Sequence, residues 1–220
     1  MWLLKSSIGR KLIMSLSGLF LLLFLLIHMC MNLTSVFSAE VYNAVCDFMG
    51  TNPVIQVMVP VLAAGFVVHI AYALMLTLQN RKARGADKYA SSNKSDVKWA
   101  SKNMFVLGLL ILGFLGLHLT HFWVKMQWPE WTGGHPEEGY KLVSELFRNP
   151  VYVGIYIVWV AALWFHLTHG FWSAFQTIGL DNKIWFPRLK MIANIYAAVI
   201  AIGFIIVPIF FGLGLDKYLH

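Results

Sequence analysis

Charge is scarce in this sequence. Only 12% of its 220 residues are Asp, Glu, Lys or Arg, 59% are hydrophobic, and the mean hydropathy is +0.67. A soluble domain of this length needs more polar cover for its own surface, so composition argues against one and a bilayer is implied. Cysteine is scarcer still, at two: Cys30 and Cys46. No Cys-x-x-Cys-His string exists, which excludes covalent attachment of a c-type haem. No cysteine set has zinc or iron–sulfur spacing. Cys30 lies in an apolar run and Cys46 is expected in a short loop, both as inert thiols without a disulfide.

What is present is length of apolar sequence. Five stretches are long enough to span a membrane: Lys11 to Ser35, Val54 to Asn80, Asn103 to Lys125, Val151 to Thr177 and Leu189 to Leu213. None of the five contains an Asp or Glu. The expected fold is an all-α integral membrane protein of five transmembrane helices, one domain over residues 1–220. The run after Lys5, Arg10 and Lys11 exceeds an ordinary signal-peptide core and is read as a retained helix. Asn52-Pro53 and Asn149-Pro150 mark the second and fourth starts, and Gly179 the fourth end. Pro60 and Pro208 lie inside spans and are expected to kink them. No segment is large enough for a separate soluble domain.

The cations are unevenly shared. Lys5, Arg10, Lys11, Arg81, Lys82, Arg84, Lys88, Lys94, Lys98, Lys102, Lys183, Arg188 and Lys190 fall on one side. Only Lys125, Lys141, Arg148 and Lys217 fall on the other. Thirteen against four puts the first side, with the N-terminus, in the cytoplasm. The net charge of +7 is thus a topology signal and does not point to nucleic acid. Trp99, Trp123, Trp128, Trp131 and Trp185 lie near span ends, as an aromatic belt does. The polar connection Ala90 to Ser95, in the longest inner loop, suits either partner docking or topology alone.

Of eight histidines, His135 and His220 lie outside the spans. His28, His69, His118, His121, His166 and His169 lie inside, where an ionisable side chain is costly and marks a candidate site. Depth sorts them. At 1.5 Å per residue, His28 and His118 each lie about 10 Å from the outer ends of the first and third spans. His69 and His166 each lie about 22 Å below the outer starts of the second and fourth. Two levels, about 12 Å apart, each receive one histidine from each of two helices. That pattern suits two bis-histidine metal centres stacked in a bundle. Zinc asks for three or four protein ligands, whereas two imidazoles at a level suit the axial positions of haem iron. Gly18, Gly65, Gly113, Gly116 and Gly170 are small residues near these histidines that suit either a porphyrin or helix packing. His118 and His121, and His166 and His169, are three apart on shared faces. Spacing alone leaves open which member of each pair ligates and which is a supporting neighbour.

Four strings then carry a resemblance: Ser17-Gly18 with Leu26-Ile27-His28 and Asn32; Val68-His69-Ile70-Ala71-Tyr72; Gly116-Leu117-His118; and Phe165-His166-Leu167-Thr168-His169-Gly170-Phe171-Trp172. In order on successive spans, they resemble the di-haem cytochrome b anchor of succinate dehydrogenase and quinol:fumarate reductase, in its five-helix class. The resemblance implies a four-helix haem-binding bundle plus a fifth helix, with two b haems. By motif, His28 and His118 ligate the outer haem and His69 and His166 the inner one, the pairing that depth gave. His121 and His169 are then supporting residues. The resemblance also implies a flavoprotein and an iron–sulfur subunit on the cytoplasmic face. The dicarboxylate site lies on those partners, and the location is a bacterial inner membrane. The quinone, usually menaquinone, is expected near the outer haem, where Asn32, Glu40, Asp47 and Lys125 are the polar candidates. A haem-b anchor of hydrogenase or formate dehydrogenase type is the neighbouring reading. A non-redox multi-pass protein is the remoter one. Five spans with one ligand on each of four helices favour the succinate family.

Overall fold

The computed structural model describes residues 6–84 and 99–218. Lys5, Lys88, Lys94, Lys98, the connection from Ala90 to Ser95, and His220 lie outside the described residues. The described chain is helical, without strands. Five helices are long and apolar enough to cross a membrane: Ser7–Val36, Pro53–Ala83, Met104–Thr132, Pro150–Thr177 and Trp185–Gly212. All five expected spans are present, each longer than the apolar run alone suggested. The third reaches Thr132 and so takes in Glu130, at its end.

In chain order the elements are α1 (Ser7–Leu33), closed by a 3₁₀ turn at Thr34–Val36, α2 (Ala39–Thr51), α3 (Pro53–Arg84) and α4 (Trp99–Lys102). Then come α5 (Met104–His118), a π turn (Leu119–Trp123), α6 (Val124–Thr132), α7 (Gly139–Phe147), α8 (Pro150–Thr177) and α9 (Trp185–Gly212). Local chemistry sets the starts. The Ser6, Ser38 and Asn149 side chains accept from the backbone N–H groups of Gly9, Val41 and Val151. Such caps are worth about 1 kcal/mol each. Pro150 occupies the first turn of α8, where its missing N–H costs nothing. Gly179, at φ 95°, follows the end of α8 in the left-handed region. Pro60 and Pro208 lie within α3 and α9.

The tightest packing joins α8 to α9, and both close on α1. Ala193, Ala197 and Ile200 of α9 are fully enclosed there. Small residues permit this approach, as expected between helices in lipid. A Cβ on Gly203 would collide with the Met29 sulfur. By contrast, α3 packs on α1 and barely meets α5. The most apolar stretch of α3 contains no buried residue at all.

At the end of the bundle opposite the N-terminus, two short helices form a cap. The segment expected as a loop around Cys46 is α2, and α7 was not anticipated. Tyr42 of α2 and Val143 and Phe147 of α7 bury themselves against Tyr156, Val207 and Phe211 of the long helices. Such short helices owe their stability to this burial more than to propensity. Gln56 ties the cap down: its amide donates to the Met49 and Gly50 carbonyls at 2.9 and 2.6 Å. Its oxygen accepts from Gln127 and Trp131, both at 2.7 Å. Cys30 and Cys46 are free thiols, as expected.

Candidate functional site

The histidines gather in two pairs at different depths. Toward the capped end, the rings of His28 on α1 and His118 on α5 have centres 5.7 Å apart, with planes at 88°. Toward the other end, His69 on α3 and His166 on α8 have ring centres 6.4 Å apart, at 68°. A metal bound at about 2.0–2.1 Å to one nitrogen of each of two imidazoles sets the ring centres roughly 6 Å apart. Both separations fit that requirement. Among the described residues no three metal-ligating side chains cluster. Each level therefore offers two imidazoles, a donor set that fits a metal whose other positions are filled by a bound group.

Ser17 lies beside His69: its hydroxyl is 3.0 Å from the Met14 carbonyl and 3.3 Å from His69 Nδ1. A hydrogen bond at Nδ1 orients the ring and leaves Nε2 free, and such a partner on the second nitrogen is the usual companion of a metal-ligating histidine. Gly18 stands beside the same ring, where a Cβ would come within 3.5 Å of His69 Cε1. Spacing did not reveal this role of Ser17, although it belongs to the Ser17-Gly18 string.

His118 and His166 each hold an Nδ1 that is fully enclosed and without a hydrogen-bond partner. Buried polar atoms are rarely left so, and an enclosed imidazole nitrogen in apolar surroundings calls for a group that engages it. His118 is walled by Phe122, Trp159 and Tyr156, with ring centres at 5.2, 5.3 and 6.3 Å. His28 stacks on Phe24 at 5.2 Å and meets Phe204 of α9 at 5.6 Å.

The neighbouring histidines differ. His121 sits in the π turn directly after His118, and its Nδ1 lies 3.0 Å from the Tyr156 hydroxyl. π turns recur at functional sites because they re-aim side chains within a helix. His169 makes an edge contact with Trp172 at 4.7 Å. Of the polar residues expected near the outer pair, Asn32 is the one beside it. Its amide donates to the His28 carbonyl at 2.8 Å and lies 3.4 Å from each ring nitrogen. Glu40 and Asp47 are exposed on α2, and Lys125 pairs with Glu137 at 3.7 Å. Within the cap, burial pushes the Cys46 thiol up to about 11, and it raises Tyr42 and Tyr140 as well. These groups stay protonated and uncharged.

The succinate dehydrogenase cytochrome b558 subunit of Bacillus subtilis (strain 168) is 22% identical to this chain over 182 residues. That stretch is 82% of this chain and 83% of the relative. The chain resembles succinate dehydrogenase cytochrome b. The match agrees with the family named from the histidine strings and supports a succinate dehydrogenase cytochrome b membrane subunit. No family model and no solved structure matches the chain.

Proposed function

We propose that the chain is the membrane-anchor cytochrome b of a succinate:quinone oxidoreductase, holding two b haems between His28 and His118 and between His69 and His166. The observation that carries this reading is the pair of histidine couples, each joining two helices, at ring separations that suit a shared iron. When bound, the haems supply one-electron carriers between membrane quinone, most simply menaquinone, and an iron–sulfur subunit joined to a flavoprotein. The chain's own work is positional. His28, His69, His118 and His166 hold the groups at two depths. Ser17 orients the His69 ring through its contact with Nδ1. His121 and Tyr156 brace the wall of the outer site, and His169 stands beside the inner one. The aromatic walls around His28 and His118 exclude water from the outer site.

The dicarboxylate chemistry belongs to the flavoprotein. Its docking face is the end of the bundle carrying the N-terminus and most of the cations, taken as cytoplasmic in a bacterial inner membrane. Quinone binds at the opposite end near Asn32. The deciding experiment purifies the chain from membranes and counts extractable haem per chain, with a reduced-minus-oxidised spectrum. Two non-covalent b haems per chain are expected. One or none in a fully loaded preparation overturns the reading. Co-purification with a hydrogenase or formate dehydrogenase, in place of a flavoprotein, would move the chain to that family.

A further inference from the structure

At the N-terminal end of the bundle, α8 and α9 present a matched pair of faces. Trp164, Thr168 and Trp172 recur every four residues on α8, and Phe186, Lys190 and Asn194 do so on α9, so each set lines one helix face. At the mouth, the Lys190 ammonium rests on Phe186 at 4.1 Å and on Trp172 at 5.3 Å. The Trp172 and Phe186 rings themselves meet edge to face at 5.2 Å. One turn deeper, about 6 Å into the bundle, Asn194 borders a cavity of about 190 Å³. Trp99, Ala100, Trp164, Phe165 and Thr168 complete its lining. The Trp99 and Phe165 rings meet at its wall, centres 5.4 Å apart. The Thr168 hydroxyl is turned back to the Phe165 carbonyl, so the floor is almost wholly apolar.

Between described residues, the ion pairs Lys125–Glu137, Lys141–Glu145 and Arg148–Asp216 all lie at the opposite end. Here the cations lie on aromatic faces instead: Lys190 as above, Arg188 on Trp185 at 5.5 Å, and Arg81 on Phe105 at 4.7 Å. A lysine held over a ring keeps its ammonium hydrogens for an anion, because the ring engages only part of the charge. A half-buried cation at the membrane surface above an apolar slot calls for one amphiphile, anionic at its head and hydrocarbon behind it. We propose that the cleft between α8 and α9 binds an anionic phospholipid, its phosphate on Lys190 and part of an acyl chain in the Trp99–Trp164–Phe165 cavity. Basic pockets between spans on the cytoplasmic side are the recurrent setting for such binding. This site needs the five-span fold but neither haem.

The test uses the full complex in a neutral detergent, stripped of native lipid and titrated with phosphatidylglycerol or phosphatidylcholine. Bound lipid is counted by native mass spectrometry. Retention of phosphatidylglycerol over phosphatidylcholine is expected. Lys190→Gln should weaken phosphatidylglycerol about fivefold, the factor one lysine near a membrane surface contributes. Lys141→Gln, at the other end, should leave it unchanged. Thr168→Phe, which fills the slot, should reduce retention of phosphatidylglycerol while haem content stays at the parent value. Equal retention of the two lipids, or indifference to both Lys190→Gln and Thr168→Phe, overturns the proposal. So does inorganic phosphate displacing the lipid at equal concentration, which would reveal a surface anion site without a chain slot. Crosslinks that place residues 85–98 or the iron–sulfur subunit in the cavity of the lipid-free complex, undiminished by added phosphatidylglycerol, overturn it equally.

Discussion

Replacing Gly65 by alanine should damage the inner histidine pair alone. Gly65 stands one turn before His69, on the same face of α3. A Cβ there would lie 2.7 and 2.9 Å from Cε1 and Cδ1 of Phe20 on α1. Ordinary carbon contacts need about 3.5–4.0 Å, so the two must part by roughly 1 Å. Overpacking of this size costs about 1–3 kcal/mol. The gain in helix propensity over glycine returns about 0.8–1.0 kcal/mol. The fold therefore survives. The site is less forgiving, because ligand distances at a metal hold to within about 0.2 Å. Moving α3 off α1 carries His69 away from Ser17 and from His166, while His28 and His118, on α1 and α5, stay in place. The assay is a redox titration of the purified variant with haem counted per chain. The expected result is loss or a clear potential shift of one of two spectral components, with the other unchanged. Gly154→Ala on α8, where an added Cβ meets nothing, is the control. If Gly65→Ala keeps both components at parent occupancy and potential, the argument from α1–α3 contact to the inner pair is wrong.

The remaining predictions are simpler. His28→Ala and His118→Ala should each remove one spectral component and His69→Ala and His166→Ala the other. Removal of the same component by His28→Ala and His69→Ala would break the pairing. Tyr156→Phe deletes the hydroxyl 3.0 Å from His121 and should shift the potential of the outer component while haem stays bound. A potential unchanged in both Tyr156→Phe and His121→Ala would remove His121 from the site. Gln56→Leu leaves the Met49 and Gly50 carbonyls without their donor and should destabilise the cap by about 1–3 kcal/mol. Amide exchange at the end of α2 should rise accordingly, and parent-like exchange there would refute a clamping role. Cys46 titrates at about 11 in the fold against 9.0 ordinarily. At pH 8 its thiolate is therefore about a hundredfold scarcer than after unfolding, and maleimide should label it correspondingly slowly. Equal labelling rates in folded and denatured chain would contradict its burial.

Much of this protein is legible in one dimension because lipid imposes a one-dimensional rule. Within hydrocarbon every backbone polar group must be satisfied inside its own helix, so long apolar runs become spans wherever they occur. The five helices follow from that, and so do the starts at Asn52-Pro53 and Asn149-Pro150. The two histidine levels follow from a constant rise per residue, since depth in a near-straight span is a count along the chain. What a count cannot supply is azimuth and contact. That the rings of His28 and His118, and of His69 and His166, meet across the bundle depends on how α1, α3, α5 and α8 turn toward one another. The tertiary structure decided that. It also decided that Ser17 meets His69 and that Tyr156 meets His121 through a π turn no periodicity announces. It made helices of α2 and α7, too short to declare themselves outside the membrane and stable only against the bundle end that buries Tyr42, Val143 and Phe147.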